Sequence, residues 1–358
     1  MLIVGNLTTN PVALEKENQN RFNTFKTAPL DDWEVAAREE LNGADPWERL
    51  THKSGGLSIL PYYDQKKLNP APTLPVSKND FSGPRSWFNC PAIRVSDAKK
   101  ANEKALQSLK DGADGILFEL IDEVNFDILL FEIEWKYCSL NFFALKNQHA
   151  LAEALDKYIS SKKLDTNKIH GAFFGNTAAN GIINKDFFFN GFQFQPSASV
   201  KEEIANGFKE IIKSKAASHV AISITLDNDF FLSIAKVRSI HLLWKKYGDA
   251  TNAPSAKVFI HALSPAWIDK DFQPHGNMLK GTYAAMAAIL GGCDALTIQS
   301  EDADNSTMSR AARNISNILR EESYFSKVAD PLAGSYFIED LSRQVTDAVW
   351  DSIKTELR

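Results

Sequence analysis

Cysteine and long apolar runs are scarce in this 358-residue chain, and each shortage excludes a class of protein. The three cysteines, Cys90, Cys138 and Cys293, have neither metal-site nor redox spacing, so we expect buried thiols in a reducing, cytoplasmic location. The longest late apolar run, between Lys280 and Asp294, has 13 residues. A membrane helix needs roughly 20. No basic segment opens the chain, so we expect neither a membrane span nor a secretory signal.

The chain also lacks an excess of charge of either sign. Its 40 Lys+Arg residues face 45 Asp+Glu residues, which gives a net charge of −5. A surface this close to neutral does not attract polyanions, so we expect no nucleic-acid partner and no anionic membrane surface. None of the seven histidines has another three or four residues away, so the pattern predicts no metal site on a helix face.

Hydrophobic residues make up 44% of the chain and aromatic residues 11%, which is enough for a large core. The length fits about two domains of roughly 150 residues, or one barrel of about 250 residues with an extension. Residues 1–84 hold few apolar runs and end in a proline-rich stretch, which predicts an arm and linker for subunit contact. In this arm, Asp31-x-x-Glu34 predicts a capped helix ended by Gly43, and Trp33 and Trp47 are the expected partner contacts.

Residues 85–358 alternate between apolar runs of strand length and amphipathic stretches of helix length. Eight strands are predicted: Gly115–Leu120, Ser139–Leu145, Gly171–Gly175, Gly191–Gln195, Val220–Leu226, Lys257–Leu263, Ala295–Ser300 and a weaker Ser326–Asp330. Continuous apolar strands that alternate with helices indicate parallel strands covered on their outer face. The pattern therefore predicts an α/β fold, a (β/α)8 TIM barrel, with a doubly wound open sheet as the alternative.

In such a barrel, the groups at the carboxyl ends of the strands face the mouth. The expected mouth lining is polar: Glu119, Gln193, Gln195, His261 and Gln299. The set contains no evident acid–base pair, so we predict no catalytic and no cofactor-binding residue among them. His261 is interpreted first as a hydrogen-bonded core histidine and second as a group that acts in the mouth.

Six phenylalanines lie on the predicted strands, and strand alternation should turn about half of them toward the barrel axis. They are Phe142, Phe143, Phe173, Phe174, Phe192 and Phe194. Each ring carries about 150–250 Å² of surface, so the inward ones should fill the interior.

Several ordered motifs then carry a resemblance. They are Gly281–Ile298 (GTYAAMAAILGGCDALTI), Ala312–Asn314, Glu321–Ser323 and Asp330–Glu339, with Asp32-Trp33 and Gly56–Tyr62 in the arm. Together they resemble the methylmalonyl-CoA mutases, and the arm resembles that of their small subunits. The resemblance covers roughly residues 31–358. It implies an arm and a barrel in a family that isomerises acyl-CoA thioesters with adenosylcobalamin. The resemblance further implies that CoA is threaded through the barrel and that a C-terminal domain holds the cobalamin.

Three departures from the family pattern stand out. No Asp-x-His occurs, so the cobalt-binding signature Asp-x-His-x-x-Gly is missing. Trp87 stands where the family pattern Arg-Gln-Tyr has its tyrosine, and Phe192 or Phe194 stands where the pattern has a Tyr-His pair. A phenyl ring donates no hydrogen bond, so the resemblance implies that Trp87, Phe192 and Phe194 mark lost catalytic groups.

The resemblance therefore implies a non-catalytic small subunit of a heterodimeric mutase that converts methylmalonyl-CoA to succinyl-CoA, inactive alone and lacking the cobalamin-binding domain. Its expected partner is the catalytic large subunit, which would carry adenosylcobalamin, while this chain binds no cofactor and binds CoA thioesters weakly or not at all. Two alternatives stay open. One is an active acyl-CoA mutase barrel whose cobalamin domain lies on a separate chain, and the other is a stand-alone CoA-binding or partner protein.

Overall fold

A computed structural model of the chain describes residues 29–64, 84–165, 168–175, 187–215, 219–253, 257–265 and 276–356. The chain divides into two compact units, one formed by Met1–Ser54 with Ser58–Lys67 and the other by Gly55–Leu57 with Leu68–Arg358. The proline-rich stretch expected up to residue 84 falls almost entirely on residues 65–83, outside the described residues.

The smaller unit contains helices α1 (Leu30–Glu40) and α2 (Pro46–Leu50), and the short strands β1 (His52–Ser54) and β2 (Leu57–Ile59) follow as a two-stranded sheet. Gly43 ends α1 as predicted, because its φ of +89° is a conformation that glycine adopts without strain and its N–H reaches the Arg38 carbonyl. The predicted capping of α1 by Asp31 is wrong. Pro29 occupies the N-cap position, and Asp31 lies in the first turn, where a carboxylate still favours the helix dipole.

The larger unit alternates strands and helices. Its strands are β3 (Phe88–Asn89), β4 (Ala92–Val95), β5 (Gly115–Leu120), β6 (Ser139–Ala144), β7 (Gly171–Phe174), β8 (Phe187–Gln193), β9 (Val220–Thr225), β10 (Val258–Leu263) and β11 (Ala295–Thr297). Its helices are α3 (Ala98–Lys110), α4 (Phe126–Leu129), α5 (Gln148–Ser161), α6 (Val200–Lys213), α7 (Phe230–Ala250), α8 (Gly276–Gly291), α9 (Ser306–Glu321) and α10 (Tyr336–Ile353). A 3-10 turn, Trp135–Tyr137, precedes β6.

The strands form one parallel sheet in the order β3-β11-β10-β9-β8-β7-β6-β5-β4. The two strands at its ends, β3 and β4, are successive pieces of one stretch of chain that is interrupted at Cys90 and Pro91. This first strand of the barrel pairs with β11 through its first half and with β5 through its second half. The ring of eight strands is thereby closed, which confirms the TIM-barrel prediction and excludes the open sheet.

Seven of the eight predicted strands are confirmed: Gly115–Leu120 has the predicted ends, and the other six have shifted ends. The eighth, Ser326–Asp330, is wrong, because these residues form bends and turns after α9. Its place is taken by the first strand, which the sequence pattern did not reveal. Pro91 has no N–H to donate and divides this strand into pieces of two and four residues, too short to read as an apolar run.

The strand residues divide between two buried clusters. Phe143 and Phe174 pack with Cys90, Leu117 and Phe259 inside the barrel. Phe142 and Phe173 belong to the second cluster, which lies between the strands and the helices α3 and α5. Neighbouring residues of one strand thus point to opposite faces, as strand geometry requires.

Candidate functional site

Three rings meet in the barrel interior. Phe143, on β6, lies edge-on to Phe174, on β7, with 5.1 Å between ring centroids. His261, on β10, is 5.5 Å from the Phe143 ring and 5.7 Å from the Phe174 ring. His261 and Phe174 are fully buried and Phe143 is 7% exposed. We call these three residues the axial cluster.

A chain of hydrogen bonds holds the imidazole of His261. Its Nδ1 lies 2.9 Å from Ser223 Oγ and its Nε2 lies 2.8 Å from Thr297 Oγ1. Thr297 Oγ1 also contacts the carbonyl of Cys90, which can only accept, so the threonine hydroxyl donates there. Nε2–H must then donate to Thr297, and Nδ1 accepts the hydroxyl proton of Ser223. The neutral Nε2–H tautomer is thus fixed by its neighbours.

Burial lowers the pKa of His261 to about 3, because the charged form would lose its hydration without gaining a counter-ion. Its partners come from β9, β11 and the first strand, so the network crosses the seam where the barrel closes. His261 is therefore a satisfied core histidine, the first of its two interpretations, and both ring nitrogens are engaged.

The other predicted mouth residues lie in different surroundings. Glu119 is half-buried near the end of β5 in register with Arg94, and burial raises the pKa of Glu119 while Arg94 opposes the shift. Gln193 lies on β8, three strands round the barrel from β5. It is in register with Ser223, so its side chain belongs to the interior face of the barrel. Arg94, which no sequence pattern predicted as a mouth residue, is an exposed arginine at this rim.

Gln195 and Gln299 lie beyond the ends of their strands. Gln195 is exposed after β8. The backbone N–H of Gln299 donates to Ser264 Oγ at 2.8 Å, and the residue lines a small cavity of about 60 Å³ with Met278 of α8 and Ile315 of α9. The five residues predicted as one lining thus occupy several separate environments.

The three positions assigned to lost catalytic groups lie outside the barrel interior. Trp87 is 3% exposed, its Nε1–H donates to Ser316 Oγ of α9 at 2.8 Å, and the Arg320 guanidinium lies 4.9 Å from its ring centroid. Phe194 packs against Phe208 of α6 with 6.0 Å between centroids. Phe192 is in register with Ile222 and so faces outward. Of the six phenylalanines, only Phe143 and Phe174 point inward, fewer than the predicted half.

Within the described ranges, no cluster of three or more His, Cys, Asp or Glu side chains is arranged to hold a metal ion. None of the helices in those ranges is long and apolar enough to cross a membrane.

Comparison with known proteins finds similarity to one enzyme family. The family model described as methylmalonyl-CoA mutase matches residues 200–356, from α6 through α10. The methylmalonyl-CoA mutase small subunit of Porphyromonas gingivalis is 26% identical, over 94% of this chain and 64% of its own length. The small subunit of Streptomyces virginiae is 34% identical over 39% of this chain and 24% of its own, and that of Propionibacterium freudenreichii subsp. shermanii is 25% identical over 91% and 61%.

The chain therefore spans less than two thirds of the length of these relatives. The long matches extend the likeness across the half of the barrel that carries Phe143 and Phe174, ahead of the family-model match. The barrel fold and these matches agree: residues 200–356 are similar to the methylmalonyl-CoA mutase family model, and most of the chain is similar to small subunits of that name.

Proposed function

We propose that this chain is the arm and barrel of a non-catalytic small subunit, which supports a catalytic large subunit that converts methylmalonyl-CoA to succinyl-CoA. Two of the relatives that match over most of this chain are named small subunits of that enzyme. The axial cluster is the observation that supports a non-catalytic role. Its three residues, Phe143, Phe174 and His261, fill the interior where a threaded substrate would need space.

The packing supports weak or absent binding of CoA thioesters. A pantetheine chain on the barrel axis needs small or polar inward residues, whereas each of these rings contacts both of the others. The side chains are buried and the imidazole is held by two hydroxyl groups. A ligand would have to displace two aromatic rings, each with about 150–250 Å² of surface, and break this network.

Adenosylcobalamin, which supplies radical chemistry when bound in this family, does not fit the described residues. The histidine inside the barrel uses both ring nitrogens in hydrogen bonds and is fully buried, so it offers no ligand to cobalt. We place the cofactor on the large subunit.

The smaller unit is the proposed contact with the large subunit. Trp33 and Trp47 are half-buried because they pack on one another, with 5.1 Å between centroids, and Trp33 also stacks on Tyr62. They form a small aromatic core that holds the two helices together. The large apolar side chains exposed on these helices are Val35, 60% exposed, and Leu50, 45% exposed.

Co-expression with the catalytic large subunit tests the pairing. We expect a stoichiometric complex on size exclusion and methylmalonyl-CoA turnover by the complex. Leu50→Asp should weaken the complex by placing a carboxylate in the apolar contact. Ile128→Asp is the matched control, because Ile128 is also 45% exposed but lies on the barrel. Equal effects of the two variants, or no complex with the unaltered chain, would contradict the proposed contact.

One observation favours the alternative of an active barrel with its cobalamin domain on a separate chain. Gln193, not Phe192 or Phe194, lies on the interior face of β8, and its amide is a hydrogen-bond donor. A turnover assay distinguishes the non-catalytic chain from the active barrel. It uses this chain mixed with adenosylcobalamin and a separately supplied cobalamin domain. We expect no succinyl-CoA from methylmalonyl-CoA, and a measurable rate that Gln193→Leu abolishes would establish the alternative.

A further inference from the structure

Three buried ionisable side chains meet at the amino-terminal end of the barrel strands. Arg85 precedes β3 and is 6% exposed, and His241 of α7 is 9% exposed. The Asp330 side chain, from the segment between α9 and α10, is 8% exposed. None of them belongs to the axial cluster or to the predicted mouth lining.

Hydrogen bonds, close contacts and charge interactions connect the three side chains, because the Asp330 carboxylate interacts electrostatically with both Arg85 and His241. Arg238, one turn before His241 on α7, donates from Nη1 to Asp330 Oδ1 at 2.8 Å. His241 Nε2 is 2.8 Å from the carbonyl of Gly292. A Cβ atom at Gly292 would lie 2.7 Å from Arg85 Nη1 and 3.3 Å from His241 Nε2, so both side chains flank the same glycine.

Four polar atoms of this group are buried without a hydrogen-bond partner among the described residues: Arg85 Nε, Arg85 Nη2, His241 Nδ1 and Asp330 Oδ2. A carbonyl only accepts, so the proton of His241 is on Nε2 and Nδ1 presents a lone pair. The four atoms therefore comprise two N–H donors on one edge of a guanidinium and two acceptors.

The chemistry of these atoms limits what can bind them. An anion would satisfy the guanidinium edge but would face the carboxylate of Asp330 and leave its oxygen unpaired. A cation would satisfy Asp330 but would lie against Arg85 and Arg238. A neutral molecule that accepts two hydrogen bonds and donates two satisfies all four atoms, which is the capacity of one water molecule.

We propose that Arg85, His241 and Asp330 form a binding site for a resident internal water. The water would accept from the Nε and Nη2 groups of Arg85 and donate to Asp330 Oδ2 and His241 Nδ1. It would join the segment before the first strand to α7 and to the segment after α9. Burial and the neighbouring arginines lower the pKa of His241 to about 4, which keeps Nδ1 an acceptor at neutral pH.

Crystallography at high resolution and water-selective NMR on the full chain test the site. We expect a water oxygen about 2.7–3.2 Å from at least three of the four atoms, and a cross-relaxation signal between that water and the Nε–H of Arg85. A direct hydrogen bond from Arg85 to Asp330 Oδ2 or to His241 Nδ1, or an ion at that place, would overturn the proposal.

Arg85→Lys provides the variant test, because lysine keeps the positive charge and lacks the two-donor edge. We expect the density of the water to be lost in crystals of this variant, whereas Lys201→Arg, an exposed change on α6, should retain it. If Arg85→Lys fails to fold, the density and the NMR signal of the unaltered chain still test the proposal. Water density at the same place in a folded Arg85→Lys protein would contradict the assigned donors.

Discussion

Acidification should destabilise the barrel through His261. Its pKa is lowered from 6.5 to about 3 by burial, so below pH 6.5 the unfolded chain binds a proton that the folded chain does not. The stability that the neutral imidazole contributes is fully present above about pH 6.5 and is lost as the pH falls toward 3. At about pH 5 the loss is about 2 kcal/mol, since each unit of pKa difference corresponds to about 1.4 kcal/mol.

The measurement compares the unaltered protein with His261→Gln by urea unfolding at about pH 7 and about pH 5. The variant has no imidazole to protonate at this position, so the stability difference between the two proteins should shrink by about 2 kcal/mol at the lower pH. His149→Gln is the control, because His149 is an exposed residue of α5.

The stability linked to a second group, the half-buried Asp294, changes with pH in the opposite direction, and the comparison of two proteins removes its contribution. Burial raises the pKa of Asp294 to about 6, although the backbone N–H of Ile260 donates to its carboxylate. The stability linked to its protonated form is fully present below the unfolded pKa of 3.8 and is lost as the pH rises through about 6. This contribution is common to both proteins and cancels in their difference.

Two results would refute the reasoning on His261. The first is a pH dependence of stability that is the same in His261→Gln as in the unaltered protein. The second needs no variant: an imidazole resonance of His261 that titrates near pH 6.5 would show that the ring is not held neutral by Ser223 and Thr297.

Three further outcomes are expected. Phe174→Ala should lower the free energy of unfolding by about 3–5 kcal/mol, and Phe231→Ala, at a side chain that is 49% exposed, by under about 1 kcal/mol; similar losses in urea unfolding would contradict the packed interior. Calorimetry of the isolated chain with succinyl-CoA should detect no binding in the micromolar range, and a micromolar dissociation constant would show an open interior. Deleting residues 1–80 should leave a folded barrel by circular dichroism but abolish pairing with the large subunit, and a retained complex on size exclusion would count against the arm.

The strands that the sequence predicted are those buried on both faces, which therefore read as continuous apolar runs. Gly115–Leu120 and Val220–Thr225 are of this kind, and a length of six residues makes them distinct from helices. The first strand escaped because Pro91 interrupts it, and its halves find different partners, β11 and β5. Only pairing across the whole chain identifies it as one strand.

Less of the candidate site than of the fold could be predicted from the sequence. Burial of His261 could be inferred from its place in an apolar strand, but its partners Ser223 and Thr297 are 38 and 36 residues away in sequence. Alternation implied that half of the six phenylalanines point inward, yet only the register of neighbouring strands determines which ones. That register places Gln193 inside and Phe192 outside. Trp87 and Phe194 do not face the interior either, because both pack against helices.

The interruption of the first strand, between β3 and β4, also affects the order in which the barrel can fold. Phe88 and Cys90 complete their hydrogen bonds only with Asp294 and Leu296, about two hundred residues later in the chain. During synthesis, the growing sheet therefore keeps unpaired strand edges until β11 leaves the ribosome. Pairings of such large sequence separation form slowly. Closure of the ring should accordingly be the last step of folding, and a chain that stops before β11 should aggregate instead of accumulating as a smaller folded protein.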